Sequence, residues 1–254
     1  MMRLIAAVVF REYLIRRTSL MWLFFDMAVP LLYLLMFGVA FDRALPMGVQ
    51  AGSTSMGYNQ FFLAGVLSMA CFGSAINQSY GFFHDRDNGI FYEHLTYAMT
   101  RSQLLVGKIM FQCFMSAVQC LLTLLVGTFL LDVPLRWEFL SLVFAGVVMG
   151  TSGWFFFMAI FAFRIRRNDT FNTFINVLYF VLMFLSSMFY PLERVPQALK
   201  IVSYANPLTW HTDALRYLTI GTGDVSMVLL EITGFTIFLL VSFWFAVRTL
   251  QITA

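Results

Sequence analysis

Ser152, in the run Gly150-Thr151-Ser152-Gly153, has the glycine surroundings of an exposed nucleophile, which would be the chemistry of an intramembrane serine protease. A serine attacks only when a nearby base takes its proton, and the three histidines, His84, His94 and His211, all fall in segments outside the long apolar stretches. Gly107-Lys108-Ile109 is the nearest approach to a phosphate-binding loop. The hydroxyl residue that should follow the lysine is missing, and Ser102 stands where the leading glycine belongs, so no nucleotide site is assigned. Cys71, Cys113 and Cys120 lie in apolar surroundings without histidine or carboxylate company, which makes them packed thiols rather than metal ligands or disulfide partners. Asp26 and Glu231 are acids set inside apolar stretches, where an ionisable group is costly enough to mark a path or an interface. Both sit near the ends of their stretches, so snorkelling to the headgroups competes with that role. Asn172 and Asn176 join them as possible path or interface residues, or as ordinary bonds between helices. No catalytic residue and no metal site are assigned.

The elements that position these residues are set by hydrophobicity. The chain is 60% hydrophobic and 11% charged, far from the balance of a soluble domain. Six apolar stretches can each supply the roughly 20 helical residues that a bilayer core demands. They run over 20–41, 58–83, 104–131, 139–163, 171–190 and 225–247. Barrel strands would be half as long and would alternate, so the expected fold is all-α. Segments between them are too short to hold an independent soluble core, which makes 1–254 one membrane domain. Residues 1–19 mix Leu4, Ile5, Val8, Phe10 and Leu14 with four arginines, the composition of a helix lying in the headgroup layer. Gly146, Gly150 and Gly153 put small residues on one face of the fourth stretch, where another helix can approach closely, within the subunit or at a dimer seam.

Basic residues set the orientation. Arg3, Arg11, Arg16, Arg17, Arg86, Arg101, Lys108, Arg164, Arg166, Arg167 and Arg248 fall on one side of six spans; Arg43, Arg136, Arg194, Lys200 and Arg216 fall on the other. The richer side is cytoplasmic, which places both termini inside. A formal net charge of +3 reports this topology and gives no reason to invoke nucleic acid; anionic lipid headgroups are the natural partners.

Two polar segments stand out. Residues 84–103 contain the turn Asp87-Asn88-Gly89 and then Phe91, Leu95, Ala98 and Met99 at helical spacing, a short amphipathic helix on the cytoplasmic face. Such a helix either fills a groove on a partner or buries its own stripe in the interface. On the outer side, Asn206 suits an N-cap, Pro207 a first helical position and Gly221 a left-handed stop. Along that helix Trp210, Ala214, Tyr217 and Leu218 form an apolar stripe, and Asp213 and Arg216 are spaced to pair. A shorter helix over 196–203 precedes it. The pair makes either a hairpin that dips into the outer leaflet over 191–224 or a loop resting on the headgroups.

The order of these parts, with Tyr190-Pro191-Leu192-Glu193 and Asn206-Pro207-Leu208-Thr209 before the last span, resembles the permease subunit of type-2 ATP-binding-cassette exporters, the family of nodulation-factor, polysaccharide and drug exporter permeases. The similarity extends over nearly the whole chain and is most specific in 189–216 and 89–108. It departs from the family pattern at Gly89-Ile90, where Gly-Thr is common, and in lacking a proline shortly before Arg101.

The resemblance implies a six-span bundle with an interfacial N-terminal helix, a cytoplasmic coupling helix and an outer re-entrant hairpin. Gly89, Phe91, Glu93, Leu95, Met99 and Arg101 would couple to a separate ATPase, present in two copies, which carries the ATP and Mg that this chain does not bind. Tyr190, Pro191, Glu193, Pro196, Asn206, Pro207, Trp210, Asp213 and Arg216 would form an extracellular gate. A second permease copy, identical or closely related, would complete a path for an amphipathic, lipid-linked, glycan or drug-like cargo across a bacterial inner membrane. The competing readings are a rhomboid-like protease built on Ser152 and a channel or scaffold that works without ATP.

Overall fold

The computed structural model describes residues 2–45, 48–51, 54–90, 93 and 100–253. The chain opens with α1 (Met2–Thr18) and α2 (Leu20–Tyr33). Pro30 has no amide hydrogen to give, and a π-helical turn over Leu34–Gly38 follows before α3 (Val39–Ala44) resumes the regular ladder. A two-stranded antiparallel hairpin, β1 (Val49–Ala51) and β2 (Thr54–Met56), pairs Val49 with Met56, a feature that the apolar pattern did not reveal.

Helix α4 (Tyr58–Asp87) has 30 residues and runs about 45 Å at 1.5 Å per residue, four residues past the expected end at Phe83. After it, α5 (Arg101–Phe129) starts three residues earlier than expected. Thr100 caps it, its hydroxyl accepting from the Gln103 amide at 3.3 Å while the Gln103 side chain accepts from the Thr100 amide at 3.0 Å. Then come α6 (Leu140–Arg164) and α7 (Asn168–Phe184). Two short helices, α8 (Gln197–Tyr204) and α9 (Pro207–Ile220), lead into α10 (Val225–Thr253).

Among the described residues, five helical stretches are long and apolar enough to cross a membrane, Leu23–Ala44, Tyr58–Asp87, Arg101–Phe129, Trp137–Arg164 and Val225–Gln251. The fold is therefore an all-α multi-pass membrane protein. The stretch expected over 171–190 differs: α7 has 17 residues, about 25 Å, and stops at Phe184. Its last carbonyls are taken by a side chain. Asn206 Nδ2 donates to Leu182 O at 2.7 Å and to Leu185 O at 2.9 Å, which stabilises the turn that ends the helix.

Helix α4 forms the axis of the bundle. Its most apolar window is 89% buried, against 17% for the first span and 22% for α10, so its polar residues Ser68, Ser74, Gln78 and Ser79 face protein while the outer helices turn apolar surface outward. Aromatic rings fill the contacts around it: Phe72 on Trp154 with centroids 4.3 Å apart, Phe82 on Phe163 at 4.5 Å and Phe83 on Phe171 at 4.6 Å.

Candidate functional site

At the end of the bundle where α1 packs, α4 stops at Asp87, and Gly89 takes a left-handed conformation at φ 76° that a side chain would strain. Glu93 is helical and exposed, its amide 3.2 Å from Gly89 O, and Arg101 begins α5. Phe91, Leu95 and Met99 lie outside the described residues.

Beside this segment sits a cluster that sequence reasoning missed. Arg11 grips Asp85 through two bonds, Nη2 to Oδ1 at 2.6 Å and Nη1 to Oδ2 at 2.9 Å. Burial works against the charge on Arg11, but its bonds to Asp85 hold the guanidinium above its ordinary value. Lys108, 2% exposed, places Nζ 2.8 Å from Glu12 Oε1 and also bonds Asp85. Gln78 donates to the other Glu12 oxygen at 3.1 Å. Two cations and two carboxylates thus balance in the interior, as a buried charge requires. They tie α1 to the end of α4 and the start of α5, the two helices that flank 88–100. Val8 seals the contact, since a Cβ on Gly107 would meet its side chain at 2.9 Å. A cavity of about 630 Å³ opens next to the cluster, bordered by Arg16, Asn77, His84, Lys108 and Asn172. Asn77 also donates to Asp26 at 2.5 Å, which gives that acid a polar partner beside the cavity. Asn172 bonds Asn168, and Asn176 reaches Tyr80 at 3.5 Å.

At the other end, Asn206 holds the hairpin from both sides. While its amide nitrogen caps α7, its Oδ1 accepts from Leu208 N at 2.9 Å and starts α9, with Pro207 in the first turn and Gly221 at φ 77° as the stop. Tyr190 donates to Phe184 O, Pro191 leads into a 3-10 turn that holds Glu193, and Pro196 precedes α8. Trp210 donates to Tyr204 O at 2.7 Å, joining α9 to α8.

The face that α9 buries is mixed: Leu208, Leu215 and Ala214, the last from the expected apolar stripe, are buried together with polar residues. Thr209, Thr212, Arg216 and Thr219 are buried, whereas Trp210, Tyr217 and Leu218 are half-exposed. Arg216 pairs with Asp213, donates to Ser187 O at 2.8 Å and lies 4.0 Å from the centre of the Phe61 ring. Ser187 Oγ donates to Asp213 at 2.7 Å. Such satisfied polar groups let the hairpin pack into the bundle.

His211 belongs to the same buried face: it lies outside the spans, in α9, yet is packed into the protein. Its Nε2 is 3.0 Å from Gly146 O, an acceptor only, which makes Nε2 the donor and leaves Nδ1 to accept from Ser68 Oγ at 2.6 Å. Burial pushes this imidazole down to about 4, so it is neutral. A Cβ on Gly150 would collide with the ring, and one on Gly146 would meet Leu215 at 3.0 Å; one on Gly153 would meet Phe235 at 3.2 Å. The glycine face of α6 is therefore filled by α9 and α10 of the same subunit. Ser152 Oγ lies 3.3 Å from Cys113 Sγ, and His211 is committed to Ser68. Ser68 and His211 are both sealed from solvent, so neither serine is poised for hydrolysis.

A multi-pass α-helical bundle of this kind defines an integral membrane protein. Residues 3–220 match the family described as "ABC-2 type transporter". The chain belongs to that family and is an ATP-binding-cassette transporter permease. It is similar to three proteins described as "Putative transport permease ycf38". The one from Cyanophora paradoxa is 26% identical over 237 residues, covering 82% of this chain and 78% of the relative. Those from Porphyra purpurea (26% over 195 residues) and Pyropia yezoensis (25% over 190) cover 76% and 74% of this chain, and 66% and 64% of their own lengths.

Proposed function

We propose that two copies of this permease, or one copy and a close relative, form an export path for an amphipathic, lipid-linked, glycan or drug-like cargo, driven by two ATPase subunits that bind ATP and Mg. In this reading α7 completes a sixth crossing, α8 and α9 dip into the outer leaflet, and both termini are cytoplasmic in a bacterial inner membrane. The observation that carries it is the buried charge cluster of Arg11, Glu12, Asp85 and Lys108. It locks α1 to both helices bordering 88–100, so a push on that segment moves three elements as a unit. Rigid elements of this kind bias a bundle between two packings, as an alternating transporter requires. Segment 88–100 is then the coupling segment, and Glu93 and Arg101 contact the ATPase. The 630 Å³ cavity beside Arg16 and Asn77 supports a path for a cargo with a polar head.

The experiment is affinity purification of the tagged chain from its native membrane, followed by ATP-dependent transport in reconstituted vesicles. Recovery of a subunit with a Walker A loop, and transport that stops when its lysine is replaced, is the expected result. Transport that persists without ATP, with no such subunit recovered, would make the chain a channel or scaffold.

A further inference from the structure

On the hairpin side, a second cavity of about 550 Å³ lies between α9 and the start of α10. Glu193, Asp213, Asp224 and Glu231 line it, with Arg216 the single cation among the lining residues named. Arg216 is already committed to Asp213, Ser187 O and the Phe61 ring. Asp224 caps α10, accepting from the Ser226 amide at 2.9 Å.

Glu231 is different. It is 9% exposed, lines the cavity, and makes no hydrogen bond or ion pair to any described residue. A carboxylate in such a place is costly, and the one cation among the described residues whose field reaches it, Arg216, is offset there by Asp213, so a further positive charge would stabilise it. The neighbouring walls are aromatic. Trp210 packs on α10 at Gly234, one turn from Glu231 on the same face, where a Cβ would meet Cε3 at 3.3 Å. Tyr204 lines the cavity beside it, and Lys200 Nζ stands 5.9 Å from the centre of that ring, so the ring already takes a cation on one side. Apolar walls continue outward: Met227 and Leu230 border the same cavity and are 64% and 66% exposed on the surface that the bundle turns to lipid. An acid and aromatic faces together select a weakly hydrated organic cation, because ring quadrupoles attract positive charge and small inorganic ions keep their water.

We propose that this cavity binds the cationic head of an amphiphile, with its positive charge between Glu231, Trp210 and Tyr204 and its apolar part along Met227 and Leu230. The site deepens the permease reading and rests on it: it assigns an organic cation to the outer end of the path.

The test uses the full chain in lipid nanodiscs, with radiolabelled tetraphenylphosphonium as probe and tetraphenylborate, equal in size and opposite in charge, as control. Saturable phosphonium binding is expected, weakened at least tenfold by Glu231→Gln, largely restored by Glu231→Asp, and weakened several-fold by Trp210→Leu. Glu138→Gln, at an exposed pair with Arg136 outside the cavity, leaves binding unchanged. Thermal unfolding of each variant identifies loss of binding through loss of fold, and Glu231→Asp keeps the test decisive in that event. Equal binding of tetraphenylborate, or phosphonium binding unaffected by Glu231→Gln, overturns the proposal. Recovery of the ATPase is scored on the same material: ATPase present without phosphonium binding removes this site alone, and phosphonium binding without an ATPase removes the ATP-driven reading alone.

Discussion

Lys108 Nζ lies 2.8 Å from Glu12 Oε1, a bond that spans 96 residues and fixes the N-terminal helix against α5. Removing one partner of a buried pair leaves the other charge uncompensated, at a cost of about 3–5 kcal/mol. Lys108→Met is expected to be destabilised by that order, because Glu12 and Asp85 would then share Arg11 alone. Adding Glu12→Gln leaves the balanced pair Arg11 and Asp85 and recovers much of the loss. Thermal unfolding in detergent measures both, and a double variant no better than the single one would remove charge balance as the cause.

Asn206 is expected to be harder to replace than an ordinary N-cap. Loss of a cap costs about 1 kcal/mol, and here Asn206→Ala also strips two carbonyls at the end of α7. The carbonyls take a further penalty of about 1–3 kcal/mol, since each is left without its bond. Asn206→Asp keeps the α9 cap but puts a negative oxygen where an amide donated to Leu182 O and Leu185 O, so it falls between wild type and alanine or below both. Equal stability of Asn206→Asp and wild type would show that the donor half contributes nothing.

These two sites differ in how legible they were. The cap, proline and glycine of α9 are local signals all within one short stretch, 206–221, so the helix was readable in the sequence. The end of α7 was not, because 185–190 still carries Leu185, Met188 and Phe189 and the group that stops the helix comes from position 206. Lys108 looked like one more cytoplasmic charge; its partners stand at positions 12 and 85, and nothing local marks it as buried. The burial of His211, outside the spans as expected, was hidden for the same reason. The one trace it left was Gly150, whose missing side chain makes room for the imidazole.

Gly150→Ala is therefore expected to be destabilised by about 1–3 kcal/mol, the usual cost of overpacking, because the imidazole is pinned by Ser68 and Gly146 O and cannot swing away. His211→Ala relieves the collision. In the double variant the alanine at 150 should cost little beyond the loss of His211 itself. Strict additivity in a double-mutant cycle would place the strain elsewhere.

The same histidine gives the bundle an acid sensitivity. Its folded value is about 4 and its unfolded value about 6.5, so between them the unfolded chain binds a proton that the folded chain excludes. The His211 contribution is complete above about pH 6.5 and is lost progressively as pH falls toward 4. Thermal midpoints of wild type and His211→Gln, measured from pH 7.5 to 4.5, should differ in slope, the wild type falling faster. Parallel curves would mean that His211 stays unprotonated in both states or is charged in both.

Glu93 tests the coupling segment, because it is exposed and lies beyond the cluster that holds α4 and α5. If 88–100 docks on an ATPase, Glu93→Arg reverses a charge at the contact, where like-charge juxtaposition costs several kcal/mol. ATPase recovery should then fall at least tenfold while insertion and the thermal midpoint stay within error of wild type. A charge reversal on the ATPase surface that restores recovery would identify the facing residue. If recovery is unchanged by Glu93→Arg, Glu93 does not contact the ATPase.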